Sequence, residues 1–420
     1  MDLNGKRVVV IGLGTSGIAA CRLLAKRGAK VVANDAKSPP AAQALASEGI
    51  ELVLGGHEKA HIDKADLVVV SPGVPLLPEI AEAEKKGIPI WGEVELAVRM
   101  LAHPAPVIAI GGTNGKSTVT SLVGELLERA GKKVFVGGNL GEPLAAHADE
   151  KFDVVVLEVS SFQMERIDTF RPKVSVLLNV TPDHLDRYDS MAAYAHAKGN
   201  AFVRQTADDL AVVPEGDDVC LAQAKRGNAR IVTFGPGQVK YPTALSGKHN
   251  ELNVAAALAA VSPWNLDEKV VREVLATFKG LPHRMARVRE RSGVTFYDDS
   301  KGTNVGASVT AILGTKEEKI VLIAGGKDKG GSYEPLVDAM RTKGRAVVLI
   351  GEASDLIAKA LDAHVPHVRA LSMDDAVRIA ADLAKSGDAV LLSPACSSFD
   401  MFKDYKERGD AFVRAVEALP

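Results

Sequence analysis

The run Gly112-Thr113-Asn114-Gly115-Lys116-Ser117-Thr118 has the residue types that handle phosphate. It follows the apolar stretch Val107-Ile108-Ala109-Ile110-Gly111 and precedes a helix-compatible segment, Val119 to Arg129. Small residues let backbone N–H groups face phosphate oxygens, and a helix start adds partial positive charge. A lysine at position 116 reaches β- and γ-phosphates, and the hydroxyl of Ser117 or Thr118 can hold Mg²⁺. The pattern is shorter than the full phosphate-loop consensus, because Ile110 stands where its first glycine would be. The bland alternative is a glycine-rich turn without a ligand. The coincidence of strand, Gly-Lys-Ser and helix favours ATP.

A second glycine turn, Gly12-Leu13-Gly14-Thr15-Ser16-Gly17, follows the apolar run Arg7 to Ile11. The next apolar run ends at Asp35, which completes a dinucleotide-type pattern. Three readings stay open on these residues. Asp35 could bind the ribose of NAD, which would make the chain a dehydrogenase. The turn could hold the pyrophosphate of a UDP-sugar, with Asp35 accepting from the uracil N–H. The third is a tight strand–helix turn with Asp35 as a helix cap.

Further polar groups follow apolar runs. Glu158 ends Val154 to Leu157, where a carboxylate suits Mg²⁺ if the strand shares a sheet with the phosphate loop. His184, in Thr181-Pro182-Asp183-His184-Leu185-Asp186-Arg187, is a metal-site candidate or a structural histidine. Locally, nothing separates Lys198 from a surface lysine. Asn250 and Asn253 share one helix face; an adenine pocket or N-terminal capping by Asn250 would explain them. In the last third, Lys301 and Thr303, then Lys327 and Lys329, then Ser398 cluster after apolar runs, as the holders of a small anionic substrate would.

These groups need sheets to position them. Apolar runs alternate with helical segments throughout, which predicts an α/β chain in three domains: an N-terminal Rossmann-like domain over 1–95, a central P-loop ATPase-like domain with a mostly parallel sheet over 96–280, and a C-terminal Rossmann-like domain over 281–420. Within this scheme 205–248 reads as short strands and turns, and 281–284 as a linker. The 420 residues suffice for three domains. A net charge of −2 gives no basic field for nucleic acid. Three widely spaced cysteines suggest neither a disulfide framework nor a cysteine zinc site, and fit a reducing cytoplasm. No apolar stretch reaches the ~20 residues of a membrane helix.

Taken together the motifs resemble the Mur ligases of bacterial peptidoglycan synthesis, and within them the D-glutamate-adding branch. The carriers are the two glycine turns, Leu157-Glu158-Val159-Ser160-Ser161-Phe162-Gln163, Asn179 to Arg187, Gly247-Lys248-His249-Asn250, Gly280-Leu281-Pro282-His283-Arg284, Asp299-Ser300-Lys301-Gly302-Thr303-Asn304, and Leu392 to Ser398. The resemblance implies ATP-dependent ligation of D-glutamate to UDP-N-acetylmuramoyl-L-alanine through an acyl phosphate, by a monomer, with Mg²⁺ as cofactor. By motif, the UDP-sugar lies on Thr15, Ser16, Asp35, Gly73 and Asn139. ATP lies on Gly112 to Thr118, Asn250, Asn253, Arg284 and Asp299. Ser117, Glu158, His184 and Lys198 form the metal site, with Lys198 carbamoylated by CO₂. Lys301, Thr303, Lys329, Ser398 and Tyr405 hold D-glutamate. Lys116, His184, Lys198 and His283 stand nearest the chemistry. Departures from the family pattern are Gly111 for a usual Thr, Ala36 for a common hydroxyl beside the uracil, Ala286 for a Glu, and Tyr405 for a Phe. The remaining alternatives are a related amide ligase for another amino acid, the dehydrogenase, and a UDP-sugar-binding regulator switched by ATP.

Overall fold

The structure is a computed structural model that describes residues 2–245 and 247–420. The chain forms two compact units. One comprises the residues up to Val180, Tyr194–Pro242 and Asn253–Ala276; the other comprises Thr181–Ala193, Thr243–Leu252 and Thr277–Pro420.

The first unit holds two sheets. Strands β1 (Arg7–Ile11), β2 (Lys30–Asp35), β3 (Glu51–Leu54), β4 (Leu67–Val70) and β5 (Ile90–Gly92) pair in the order β3-β2-β1-β4-β5, all parallel. Val8, Val9, Val10 and Ile11 are wholly buried, because β1 is covered on both faces. That is why the strand reads as a continuous apolar run. Sequence reading overlooks β3, a short edge strand that is half-exposed and carries Glu51.

The second sheet runs β6 (Val107–Gly111), β7 (Val134–Gly138), β8 (Val154–Glu158), β9 (Val174–Leu177), β10 (Leu210–Pro214) and β11 (Arg230–Phe234), ordered β11-β10-β9-β6-β8-β7 and again all parallel. Strand β6 lies between β8 and β9, so the C-terminal ends of three strands surround the phosphate loop. Residues 205–248 are more than strands and turns: Asp217 caps a helix, Asp218–Ala224, by accepting from the Cys220 N–H at 2.9 Å.

Two acids on the helix Glu93–Arg99 behave differently. Burial pushes the Glu95 carboxyl up, but hydrogen bonds from the N–H groups of Asp168 and Thr169, the Thr169 hydroxyl and Arg99 outweigh it and hold the group below its ordinary value. Glu93 is equally buried with only a Gln163 side chain for help, and burial raises it to about 7. A carboxyl raised on folding costs stability progressively as pH climbs from the ordinary carboxylate range to its folded value. Glu93→Gln removes that titration. The melting temperature of Glu93→Gln relative to wild type should therefore rise by several degrees between about pH 5 and about pH 8. A pH-independent difference would show that Glu93 does not titrate in this way.

The second unit has one sheet: β12 (Ala286–Arg291), β13 (Val294–Asp298), β14 (Ile320–Gly325), β15 (Gly344–Ile350), β16 (His367–Arg369) and β17 (Ala389–Leu392), in the order β12-β13-β17-β14-β15-β16. Among its described strand pairs only β12–β13 is antiparallel. The segment 281–284 leads directly into β12, whose Ala-Arg-Val-Arg-Glu-Arg sequence lacks the apolar run of a buried strand and belongs to an edge. Alternate residues of β14 serve two cores, Ile320 and Leu322 on one face and Val321 and Ile323 on the other.

Candidate active site

The phosphate loop begins where β6 ends. Gly115, just before the helix Lys116–Arg129, has φ 86°, and a Cβ there would stand 2.4 Å from Asn253 Oδ1. Only glycine fits both constraints, and Asn253 borders the loop. Lys116 Nζ donates to the Thr113 carbonyl at 2.7 Å, and Thr113, Ser117 and Thr118 are buried. Gly111 keeps ordinary distances around a Cβ position, so its departure from the family pattern leaves the loop intact.

Asn179, just past β9, is a residue that sequence reading placed in a motif without a role. Its Oδ1 accepts from the N–H groups of Thr113 and Asn114 at 3.2 and 2.9 Å, and its Nδ2 donates to the Asn114 carbonyl at 3.1 Å. One side chain thus fixes the crest of the loop. The signal that would have found it is an amide at the C-terminal end of the strand beside β6.

Lys198 overturns its local reading. In the helix Met191–Gly199 it faces inward with Tyr194, Ala195 and Ala197 and is 5% exposed. Its Nζ donates to the Gly112 carbonyl at 2.8 Å and lies 4.4 Å from the centre of the Tyr194 ring. The Tyr194 hydroxyl is 3.3 Å from Thr113 Oγ1. Glu158, 2% exposed at the end of β8, accepts from Asn139 Nδ2 at 2.7 Å. A residue expected on the sugar and one expected on the metal are therefore joined directly.

These residues fit a magnesium nucleotide. A helix N-terminus faces the phosphate position, two buried hydroxyls follow it, and a buried carboxylate ends the adjacent strand. Mg²⁺ typically takes one or two carboxylates and lets phosphates and water complete its shell. Among the described residues, no group of three or more His, Cys, Asp or Glu forms an ion cage. His184, the remaining expected ligand, belongs to the second unit; it has φ 54° and sits with Nε2 3.6 Å from Asp183.

At the N-terminal turn, the third glycine of the pattern is explained by contact: a Cβ on Gly17 would lie 1.8 Å from the Gly12 carbonyl oxygen. Asp35 does not cap a helix. Its carboxylate accepts from the Leu13 and Lys37 N–H groups at 2.7 and 2.8 Å, closing the turn over the strand end. Thr15 and Ser16 open the helix Thr15–Lys26, and Gly73 follows β4 with open space around it.

In the second unit, His283, Asp299, Lys301 and Tyr405 come together. His283 Nδ1 pairs with Asp298 Oδ2 at 2.6 Å and its ring meets Tyr405 edge-on, while Lys301 Nζ lies 4.0 Å from the centre of the Tyr405 ring. Asp299 accepts from Ser393 Oγ at 2.7 Å and from the Met285 N–H at 3.2 Å. Burial raises its carboxyl to about 7 against the pull of Ser393 and Arg284. Thr303 sits in the same turn, its N–H bonded to the Lys301 carbonyl. Lys329 Nζ is 3.4 Å from Asp183 Oδ1, whose other oxygen accepts from Asn304 at 3.1 Å. Ser398 is buried in the turn that follows Cys396. Asn250 is not an N-cap: it lies inside the helix Lys248–Val261, because the chain begins to wind two residues earlier.

Sequence reading also passed over Arg408, which is 1% exposed. It donates to Ser300 Oγ, the Ser300 carbonyl and the Cys396 carbonyl at 3.0, 2.8 and 3.1 Å. It thereby ties the Lys301 turn to the Ser398 turn. Its place at a core position of the last helix, in register with Phe412, Ala415 and Val416, was the available signal.

Comparison with known proteins bears on the whole chain. Family models match in three blocks: a MurD-like N-terminal domain at 6–92, a Mur ligase middle domain at 110–242, and a Mur ligase glutamate ligase domain at 283–396. The UDP-N-acetylmuramoylalanine–D-glutamate ligases of Syntrophotalea carbinolica and Geotalea daltonii are 42% and 44% identical, each over all of this chain and 99% of its own length. The chain belongs to the Mur ligase family. Solved structures agree on the fold: a pseudomurein peptide ligase from Methanothermus fervidus at TM-score 0.61 and 19% identity (98% of this chain, 99% of that one), and MurF ligase from Thermotoga maritima in complex with ADP at 0.61 and 17% (99% and 95%). Membership in the Mur ligases makes the chain an ATP-dependent amide ligase and displaces the dehydrogenase reading. No helix among the described residues is long and apolar enough to cross a membrane.

Proposed function

We propose that this Mur ligase joins D-glutamate to UDP-N-acetylmuramoyl-L-alanine, releasing ADP and phosphate, in peptidoglycan precursor synthesis. Full-length similarity to ligases of that name carries the reading. The chemistry follows from the groups described. A carboxylate is a poor acyl donor, and phosphorylation by ATP supplies the leaving group that an attacking amine needs. Lys116 and the N-terminus of its helix balance charge on the transferring phosphoryl group. Bound Mg²⁺ would supply further charge neutralisation, held by Ser117, Glu158, His184 and a carbamate on Lys198. Asn253 and Asn250, with Arg284 and Asp299, serve ATP. Thr15, Ser16, Asp35, Gly73 and Asn139 serve the UDP-sugar. Lys301, Thr303, Lys329, Ser398 and Tyr405 serve D-glutamate, and His283, held by Asp298, stands near the reaction. The working divisions of the chain are 1–95, 96–280 and 281–420, in a cytoplasmic monomer.

Phosphate release from ATP tests the reading. It should require both UDP-N-acetylmuramoyl-L-alanine and D-glutamate. Release supported by a different amino acid would move the chain to another specificity, and no release with any combination would reject the ligase.

A further inference from the structure

Two turns of the second unit carry residues assigned above to the amino acid: Gly325–Gly331 with Lys329, and Ser393–Ser398 with Ser398. Their backbones are joined. The Lys327 N–H donates to the Ser397 carbonyl at 2.9 Å and the Ser397 N–H returns to the Lys327 carbonyl at 3.1 Å. Beyond Lys327 no such pairing continues among the described residues, and Gly330 and Gly331 stand at positive φ, open to glycine.

One side chain closes this gap. Tyr333, just before the helix Glu334–Lys343, is 8% exposed and packs in the core with Leu336, Val337 and Met340. Its hydroxyl donates to Asp328 Oδ1 at 2.5 Å and lies 3.2 Å from Cys396 Sγ. Asp328 also accepts from the Gly330 N–H at 3.0 Å. The hydroxyl therefore touches both turns at once, one through the residue preceding Lys329 and the other two residues before Ser398.

We propose that Tyr333 is a positioning residue for the amino-acid substrate: its hydroxyl, through Asp328 and Cys396, fixes the spacing between Lys329 and Ser398, and so sets affinity for a substrate carrying carboxylates. It acts through its neighbours and touches no reacting atom. The inference rests on the assignment of Lys329 and Ser398 to the amino acid.

Tyr333→Phe keeps the ring and its packing and removes only the link. The KM for D-glutamate should rise about tenfold, the scale of one hydrogen bond to a charged group, while the KM values for ATP and the UDP-sugar stay within a factor of about two. Asp328→Asn retains an oxygen that accepts from Tyr333 and should keep most of the affinity; Asp328→Ala should behave like Tyr333→Phe. Melting temperatures separate positioning from damage, because a merely structural loss would lower stability and leave the three KM values in proportion. If wild type uses D-glutamate and Tyr333→Phe shows an unchanged KM for it, the inference is wrong. If wild type does not use D-glutamate at all, the functional reading has failed instead, and the same KM comparison is then made with the amino acid it does use.

Discussion

Lys198→Ala will lose nearly all turnover, about a thousandfold or more in kcat, while remaining folded. The structure makes this more than a motif transfer. Lys198 is buried, its Nζ rests on the Gly112 carbonyl, and the ring beneath it belongs to Tyr194, whose hydroxyl approaches Thr113. An amine reacts with CO₂ with loss of a proton, and the proposed carbamate would turn a cation into an anionic oxygen ligand. Lys198→Arg separates the two roles. It keeps a donor for Gly112 but cannot form the carbamate, so it should be as inactive as alanine. Removal of dissolved CO₂ should slow the wild-type enzyme and added bicarbonate should restore it. An active Lys198→Arg, or a wild type indifferent to CO₂, would mean that Lys198 only braces the phosphate loop.

The contrast between Lys198 and Lys116 shows what the sequence made legible. Lys116 sits in a contiguous strand–glycine–helix pattern whose physics is local, so its place could be read directly. The same holds for β1, β6 and β14, which are buried on both faces and therefore apolar without interruption. Lys198 lies on an alanine-rich helix that turns its lysine inward only because the phosphate loop is there, 86 residues away in sequence. Arg408 and Asn179 are likewise tertiary: each is an ordinary polar residue until the fold closes two loops around it. The strands that escaped notice, β3, β12 and β16, are edges: β12 and β16 carry charge in place of an apolar run, and β3 is only four residues long and partly exposed. Resemblance singled out Lys198 where periodicity could not, and the fold buries it against the phosphate loop.

Lys116→Ala should cost about a thousandfold in kcat with little change in the KM for D-glutamate. The Lys116 amine is bound to Thr113 two positions before the helix-capping glycine, in a loop already fixed by Asn179. Its removal should therefore leave the loop standing, and melting temperatures should fall by no more than a few degrees. On the proposed role, what disappears is the positive charge that follows the γ-phosphoryl group as its charge spreads during transfer. Lys116→Arg retains the charge but presents a broad planar fork where a compact ammonium on a flexible stem is needed, so it should recover little activity. The effect belongs to formation of the acyl phosphate, the first half of the reaction. Varying the amino acid should then leave the defect unchanged, since every acceptor waits on the same intermediate. A variant that forms the acyl phosphate at the wild-type rate but fails to pass it to the amine would place Lys116 in the second half, and the assignment of charge balance during phosphoryl transfer would have to be withdrawn.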